Sequence, residues 1–196
     1  DDGVVPSALR AAIAEHDPKL VYLIPSFQNP SGRTMSEDRR RAVADVLLET
    51  GVMLVEDDPY SALRYDGEPI PTIASFEGMA AQTALLQTFS KSVAPGIRLG
   101  WARVPAGIRD AMVVAKQAID LHSSTVDQLA AVHYLTHPET HMDPTEKLET
   151  YRARRDAMVR ELPRALPEGT HVTHPIGGMF LWAELPEGWD TDALLP

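Results

Sequence analysis

Short apolar runs rich in β-branched residues alternate along the chain with longer stretches in which apolar residues recur at helical spacing. This alternation is typical of an α/β fold with a mostly parallel sheet. Four of the runs are short enough to be strands and are bounded by glycine, proline or polar residues. They predict strands at residues 20–24, 52–55, 84–87 and 99–104.

A helix is predicted between the first two strands. Ser36 can cap its N-terminus, its first turn carries the acidic residues Glu37 and Asp38, and Gly51 follows its last turn. The apolar stripe of this helix consists of Ala42, Val43, Val46 and Leu47.

Two further helices are predicted after the fourth strand. A helical pattern opens at Pro105 and continues until His137 and Pro138, which predicts one long helix that bridges two domains. Another helix is predicted from the cap residue Asp143 to about residue 164, with Pro163 ending or kinking it.

The end of the chain contains two more strand candidates, at residues 170–173 and 180–184, separated by a segment with two glycines. We therefore predict two structural units. Residues 1–137 are expected to form part of a large domain that includes the bridging helix, and residues 138–196 an incomplete small domain.

The composition fits a folded globular protein and excludes disordered and collagen-like classes, since 44% of the 196 residues are hydrophobic and 23% are charged. The chain has 18 basic and 28 acidic residues, and the resulting net charge of −10 argues against bulk attraction to nucleic acid. Two clusters of arginines, at residues 39–41 and 152–155, lie in helical patterns that also carry acids, which predicts solvated helix faces.

The chain contains no cysteine, which excludes disulfides and thiolate metal sites and favours a reducing compartment, so a cytoplasmic location is predicted. The seven histidines lack metal-ligand spacing, so no metal site is predicted. No apolar stretch approaches the ~20 residues of a membrane-spanning helix, and the first residues do not resemble a signal peptide. The final residues leave an element unfinished, so we expect the chain to be part of a longer protein.

Polar segments follow the first three predicted strands, at residues 25–32, 56–60 and 88–98. In open α/β sheets, ligands bind at the carboxyl ends of the strands, so these segments are expected to converge on one ligand. Together they offer an amide, carboxylates, a phenol, a lysine amine, hydroxyls and an arginine. This set suits a phosphorylated aromatic aldehyde that is held through an imine.

Several motifs in these segments resemble those of the pyridoxal-phosphate-dependent aminotransferases of fold type I, class I/II. They are Asn-Pro-x-Gly at residues 29–32, Asp-x-x-Tyr at 57–60, and Ser-Lys at 90–91 followed by Arg-Leu-Gly-Trp at 98–101. Pro-Ile-Gly-Gly-Met-Phe at residues 175–180 is similar to the glycine-containing segment of the family's small domain. The details resemble 2-aminoadipate and aromatic aminotransferases and the aminotransferase-like domain of MocR-type regulators.

The resemblance covers nearly the whole chain and implies an α/β fold. The chain would provide the central part of a mostly parallel, three-layer large-domain sheet, followed by a partial α+β small domain. Three of its strands would be parallel and the fourth antiparallel. The resemblance further implies the cofactor pyridoxal 5'-phosphate, amino-acid and 2-oxo-acid substrates, and a homodimer in the full-length protein.

The resemblance also assigns catalytic roles. Lys91 would form the imine with the cofactor aldehyde and then act as general acid and base. Asp57 would keep the pyridine nitrogen protonated; its neighbours Glu56 and Asp58 compete on proximity alone, and Asp57 is preferred because it stands three residues before Tyr60.

The remaining assignments concern cofactor binding. Asn29 and Tyr60 would hydrogen-bond the phenolate oxygen of the cofactor ring, and Tyr60 is also counted as catalytic. Arg98, Ser90 and Thr88 would bind the phosphate, with Thr88 at a position where the family often has serine.

Lys91 is one of four lysines in the chain; the other three, Lys19, Lys116 and Lys147, are predicted to be surface residues. No arginine follows Arg164, so the arginine with which the family binds the substrate carboxylate has no counterpart in this sequence. The identity of the amino acid substrate therefore stays open.

Three functions remain compatible with these motifs. The first is transamination between an amino acid and a 2-oxo acid. The second is an effector-sensing domain of a MocR-type transcription regulator, and the third is a lyase or decarboxylase that uses the same cofactor. Residues 1–196 alone are expected to be inactive and prone to aggregation, because sheet edges and apolar surface would be left uncovered.

Overall fold

The four predicted strands form one sheet in a computed structural model that describes residues 2–140 and 143–194. The last two residues, on which the expectation of an unfinished element partly rests, lie outside this range. The strand order is β1-β2-β3-β4, and the strands are β1 (Leu20–Leu23), β2 (Met53–Asp57), β3 (Thr83–Thr88) and β4 (Gly100–Arg103). β1, β2 and β3 are parallel and β4 is antiparallel to β3, which confirms the predicted sheet.

The alternation of side chains along β2 gives the sheet one covered face and one open face. Leu54 and Glu56 are fully buried, whereas the alternate residues Met53, Val55 and Asp57 are only partly buried. β1 follows the same pattern: Val21 packs against the core, while Tyr22 on the opposite face is 52% exposed.

Two helices, α1 (Pro6–His16) and α2 (Glu37–Thr50), contribute to the core on the covered face. α2 begins and ends as predicted, since the side chain of Ser36 accepts a hydrogen bond from the amide of Arg39 and Gly51 adopts a left-handed conformation. α1 was not predicted, although Pro6 stands at its first turn. The fully buried centre of this core consists of Val43, Leu47, Leu54, Ile73 and Met79.

The prediction of one long bridging helix is wrong. A short helix α3 (Phe89–Ser92) precedes β4, and after β4 the chain forms two helices, α4 (Ala106–Ile119) and α5 (Thr125–Thr136). Two local features separate them: Leu121 has a left-handed backbone with φ of 64°, and the side chain of Ser124 accepts a hydrogen bond from the amide of Asp127, which caps α5.

The helix α6 (Pro144–Ala165) begins as predicted, because the side chain of Asp143 accepts a hydrogen bond from the amide of Thr145 at 2.8 Å. It continues through Pro163 to Ala165, so this proline lies in the last turn instead of ending the helix.

The predicted strands near the end of the chain are shorter than expected: β5 (His171–Val172) and β6 (Ala183–Glu184) form a two-residue antiparallel pair. Beyond this pair, the hydroxyl of Thr173 accepts the hydrogen bond of the Trp182 amide at 2.9 Å, so a side chain takes the place of a ladder bond. The division of the chain at residue 137 stays a prediction. Among the described residues, no helix is long and apolar enough to cross a lipid bilayer.

Candidate active site

The loop after β1 carries Asn29 and is held in shape by its own hydrogen bonds. The amide of Gln28 donates to the carbonyl of Arg33 at 2.9 Å, and the side-chain oxygen of Gln28 accepts from the amide of Ser31 at 3.0 Å. The amide of Phe27 donates to the hydroxyl of Thr34 at 3.0 Å. These bonds place Asn29 at the exposed tip of a closed loop.

Arg40 fastens both ends of this loop to α2. Its guanidinium, 1% exposed, donates to the carbonyls of Pro25 and Met35 at 3.1 and 3.0 Å and to the hydroxyl of Ser26 at 2.9 Å. The prediction that residues 39–41 lie on a solvated helix face is therefore wrong for Arg40. These three acceptors lie on the segments at either end of the Asn29 loop, and the carbonyl of Pro71 accepts a further hydrogen bond from Arg40 at 2.9 Å.

The three acidic residues at the end of β2 have different environments. Glu56 is fully buried and accepts hydrogen bonds from the amides of Ile73 and Ala74 at 2.8 and 2.7 Å; burial raises the pKa of Glu56. This carboxyl therefore holds the chain segment around residues 73–74 against the sheet.

Asp58, also buried, accepts from the hydroxyl of Ser61 at 2.6 Å and from the side-chain amide of Gln87 at 2.9 Å. Asp57, in contrast, is only partly buried and lies on the open face of the sheet. The geometry thus favours Asp57 over Glu56 and Asp58 as the acid that can reach a ligand.

Tyr22 contacts Asp57, and sequence analysis missed it. The hydroxyl of Tyr22 donates to Oδ2 of Asp57 at 2.5 Å. Burial and then this hydrogen bond raise the pKa of Tyr22 to about 12. The signal lies in the strand register: Tyr22 is paired with Val55, and in a parallel pair the residue two positions after Val55 faces the same side.

Tyr60 lies next to Asn29, and the side chains of the two residues are hydrogen-bonded. Burial raises the pKa of Tyr60, and the hydrogen bond from Asn29 opposes this shift. The ring of Tyr60 is 6% exposed and meets Phe180 edge to face, with 5.5 Å between the ring centroids. The structure thus brings together the two side chains that the resemblance assigns to the cofactor's ring oxygen.

The segment from Thr88 to Arg98 folds back on itself around α3. The hydroxyl of Thr88 accepts a hydrogen bond from the amide of Ser90 at 3.1 Å, which caps α3, and contacts the carbonyl of Leu99 at 3.3 Å. Nη1 of Arg98 donates to Oγ of Ser90 at 3.4 Å. Ser90 and Arg98 are therefore adjacent, whereas the hydroxyl of Thr88 is already used within the loop.

Lys91 lies in α3, directly after Ser90, and is partly buried. Lys147, predicted to be a surface residue, is partly buried instead, and its Nζ donates to the carbonyl of Ser92 at 2.6 Å. The amine of Lys147 thus ties α6 to the helix that carries Lys91. Lys19 and Lys116 are exposed, as predicted.

The glycine segment at residues 175–180 packs on the Asn29 loop. The amide of Gly178 donates to the carbonyl of Leu63 at 2.9 Å, and the two glycines lie against the ring of Phe27. A Cβ on Gly32 would lie 2.6 Å from the carbonyl oxygen of Phe180, so the backbones of the two segments approach closely.

Arg155 holds the same segment from the other side. Its side chain donates to the carbonyl of Pro175 and, at 2.7 Å, to the carboxylate of Asp66, and its guanidinium lies over the ring of Tyr65. With 7% exposure it is buried, so the prediction of a solvated face at residues 152–155 is wrong for Arg155. The reason is the same as for Arg40: distant acceptors surround the guanidinium.

Comparison with known proteins places this arrangement in a family. The model of the family described as "Aminotransferase class I and II" matches residues 3–194. The chain belongs to this family. The predicted family and fold class are thereby confirmed.

Three relatives illustrate the match. The chain is 43% identical to aromatic-amino-acid aminotransferase 1 of Thermococcus litoralis, over 90% of this chain and 42% of the relative. The structure of Pyrococcus horikoshii kynurenine aminotransferase, in complex with PMP, KYN and KYA, has a TM-score of 0.93 at 38% identity and covers 100% of this chain and 49% of that one. An HTH-type transcriptional regulator of Bacillus subtilis is 30% identical over 93% of this chain and 37% of the regulator. The chain thus spans less than half the length of these relatives.

Proposed function

We propose that the full-length protein is a pyridoxal-phosphate-dependent aminotransferase that moves an amino group between an amino acid and a 2-oxo acid. The observation that carries the proposal is the convergence at the carboxyl ends of β1, β2 and β3. The segments that follow these strands carry the partly buried carboxylate of Asp57, the neighbouring side chains of Asn29 and Tyr60, the amine of Lys91, and the adjacent hydroxyl and guanidinium of Ser90 and Arg98, which supports the proposal.

This donor set fits pyridoxal 5'-phosphate group by group. Asp57 offers a carboxylate to the ring nitrogen, and Tyr60 with Asn29 offers hydrogen bonds to the ring oxygen. Arg98 and Ser90, 3.4 Å apart, offer charge-assisted and neutral donors to the phosphate. When bound, the cofactor supplies a ring that accepts the electron pair left on the substrate carbon after loss of its proton.

The residues of this chain would bind the cofactor and transfer the proton. Asp57 would hold a proton on the ring nitrogen, and Arg98 would neutralise the phosphate charge. The amine of Lys91 would condense with the cofactor aldehyde with loss of water. Once the substrate amine has displaced it, the free amine of Lys91 would take the proton from the substrate α-carbon and give it to the former aldehyde carbon. Thr88 would support the phosphate site by fixing the loop that holds Ser90.

Covalent trapping tests the assignment of Lys91. Full-length protein loaded with pyridoxal phosphate and reduced with borohydride should carry the cofactor on Lys91, as located by peptide mass spectrometry. Lys91→Ala should carry none. An adduct on Lys147, which lies near the same loop, would contradict the assignment.

The reaction type is tested by product analysis with a panel that includes aromatic amino acids and 2-aminoadipate. Transamination predicts one equivalent of 2-oxo acid per cofactor and conversion of the aldehyde to the amine form. Release of CO₂ or of an elimination product instead would assign the protein to the decarboxylases or lyases.

A second candidate function rests on the similarity to the Bacillus subtilis regulator. In that case the same site would sense an effector, and a DNA-binding module would belong to the full-length protein. Full-length protein that binds a specific DNA fragment and shows no turnover with any amino acid would favour the regulator. Turnover without DNA binding would favour the enzyme.

The proposal extends to assembly and location. We propose a homodimer, because the family resemblance implies that two subunits build each pair of active sites. A cytoplasmic location fits the absence of cysteine. Light scattering of the full-length protein tests the dimer.

A further inference from the structure

Asp57 is oriented by one strong contact in the structure. Among the described residues, the hydrogen bond at its carboxylate comes from Tyr22, whose hydroxyl lies 2.5 Å from Oδ2. The neighbouring acids are held by several donors each: Glu56 by two backbone amides and Asp58 by Ser61 and Gln87. The orientation of the Asp57 side chain therefore depends on Tyr22 far more than on the backbone around it.

The position of Tyr22 follows from the sheet. Tyr22 is the third of the four residues of β1, and its ring lies on the open face, where Asp57 ends the adjacent strand. Because both residues stand on hydrogen-bonded strands in fixed parallel register, their backbones cannot shift independently. The position of the Tyr22 hydroxyl is therefore fixed by a strand of the sheet and not by a loop.

The proton needed for this bond stays on the phenol at neutral pH. Burial and the nearby Asp57 carboxylate raise the pKa of Tyr22 to about 12, so the hydroxyl remains a donor over the physiological range. Oδ2 of Asp57 is the acceptor of this bond.

We propose that Tyr22 is a positioning residue for the transamination chemistry: its hydroxyl holds one oxygen of Asp57, so that the other oxygen is aimed at the ring nitrogen of the cofactor. The inference rests on the proposed function, in which Asp57 serves that nitrogen. It predicts that removal of the Tyr22 hydroxyl weakens the contact between Asp57 and the ring nitrogen while leaving the fold unchanged.

The test compares Tyr22→Phe with Tyr151→Phe in full-length protein loaded with pyridoxal phosphate labelled with ¹⁵N in the ring. Tyr151 lies in α6 and is partly buried, so its replacement controls for loss of a phenol elsewhere. For Tyr22→Phe we expect a ring ¹⁵N resonance displaced towards the unprotonated form. Its kcat for the amino-acid half-reaction should fall roughly 10- to 100-fold, the scale of one hydrogen bond to a charged group. The melting temperature should match that of Tyr151→Phe.

A double-mutant cycle shows whether Tyr22 acts through Asp57. In the Asp57→Asn background, Tyr22→Phe should cause little further loss of kcat and no further displacement of the ¹⁵N resonance. Equal effects of Tyr22→Phe in both backgrounds would overturn the proposal, and so would a ¹⁵N resonance unchanged from the wild type.

The outcomes also separate this inference from the proposed function. If Asp57→Asn severely lowers kcat while Tyr22→Phe has the same kcat and ¹⁵N resonance as Tyr151→Phe, the role proposed for Tyr22 is wrong and the aminotransferase assignment stands. If the wild-type protein binds no pyridoxal phosphate, or if Asp57→Asn leaves the ¹⁵N resonance and kcat unchanged, the functional assignment itself fails.

Discussion

Gly177 packs so closely on Phe27 that a Cβ on the glycine would lie 2.2 Å from Cζ of the ring. The ring is fully buried, and the guanidinium of Arg64 lies 4.9 Å from its centroid. Phe27 thus sits between the glycine segment and the residues after Tyr60. Since Phe27 is two residues before Asn29, this contact couples the glycine segment to the loop that carries Asn29.

We therefore predict that Gly177→Ala destabilises the full-length protein by about 1–3 kcal/mol, the usual cost of overpacking a filled site. Gly177 does not have a positive φ, so the effect isolates the steric contact. Gly107→Ala is the matched control, because a Cβ there has no neighbour within 4 Å, and this variant should be neutral or stabilised by up to about 1 kcal/mol. Urea unfolding measures the free energy of unfolding of both variants. Equal changes in this free energy for Gly177→Ala and Gly107→Ala would contradict the prediction.

Substitutions of the three acidic residues at the end of β2 should differ in whether they mainly lower activity or mainly lower stability. Asp57→Asn should slow the amino-acid half-reaction by at least about 100-fold, because a charge at the reaction centre is lost. Its cofactor affinity should fall much less, since in the proposed site Arg98 and Ser90 would hold the phosphate independently of Asp57.

Glu56→Gln and Asp58→Asn should show the reverse pattern. Each should lower the free energy of unfolding by about 1–3 kcal/mol, because buried donors lose a charged acceptor, with a milder effect on turnover. Stopped-flow kinetics and urea unfolding of the three variants give the comparison. A severe kinetic defect in Asp58→Asn with normal turnover in Asp57→Asn would overturn the choice of Asp57.

Much of the sheet could be predicted from the sequence because its signals are local. The β-branched runs and the turn residues that bound them lie within a few positions of each other, and the cap residues Ser36 and Asp143 act on amides two or three residues away. The prediction of one long helix after β4 was wrong because it, too, relied on local signals. Apolar residues at helical spacing lie on both sides of positions 120–124, and the prediction joined them into one helix although Ser124 can cap a new one.

The burial of Arg40 and Arg155 could not be predicted locally. Both occur in runs of charged residues that favour a solvated helix face, and their acceptors are supplied by distant segments: Pro25 and Pro71 for Arg40, Asp66 and Pro175 for Arg155. The contact of Tyr22 with Asp57 was missed for a comparable reason, because it depends on the pairing register of two strands. Motifs identify the residues that could meet the ligand, whereas the contacts that orient them come from tertiary packing.

Stability at acidic pH should depend on Asp66. The hydrogen bond from Arg155 holds the pKa of this carboxyl below its ordinary value of 3.8. A carboxyl whose pKa is lower in the folded state adds stability above its unfolded pKa, and this contribution is lost as the pH falls through the lower folded pKa. The wild type should thus exceed Asp66→Asn in stability by a constant amount near neutral pH, and the difference should shrink below about pH 4.

Urea unfolding between about pH 3 and pH 7 measures this difference. Asp45→Asn serves as the control, because Asp45 is exposed on α2 and its replacement should leave the pH profile of stability unchanged. A difference between wild type and Asp66→Asn that stays constant down to about pH 3 would show that the bond to Arg155 does not select the ionised carboxyl.

Residues 1–196, expressed as an isolated polypeptide, should aggregate. β1 and β4 are the edges of the larger sheet, and in β4 every side chain is exposed. Exposed strand edges can pair with other chains. The helices after β4 add apolar surface: Ile119 is 82% exposed and Val126 76% exposed. Surface of this kind on neighbouring helices favours association, so light scattering should show species larger than a dimer.

Two charge substitutions test the cause of this association. Ile119→Glu combined with Val126→Glu should lower the scattering of the isolated polypeptide at equal concentration, because charges on the exposed helices oppose their contact. A matched pair, Arg160→Gln combined with Arg164→Gln, also makes the net charge two units more negative, but at exposed positions of α6 and without removing apolar area, and should not reduce scattering. A monodisperse wild-type polypeptide of 21.5 kDa would show that the exposed helices and sheet edges do not cause association.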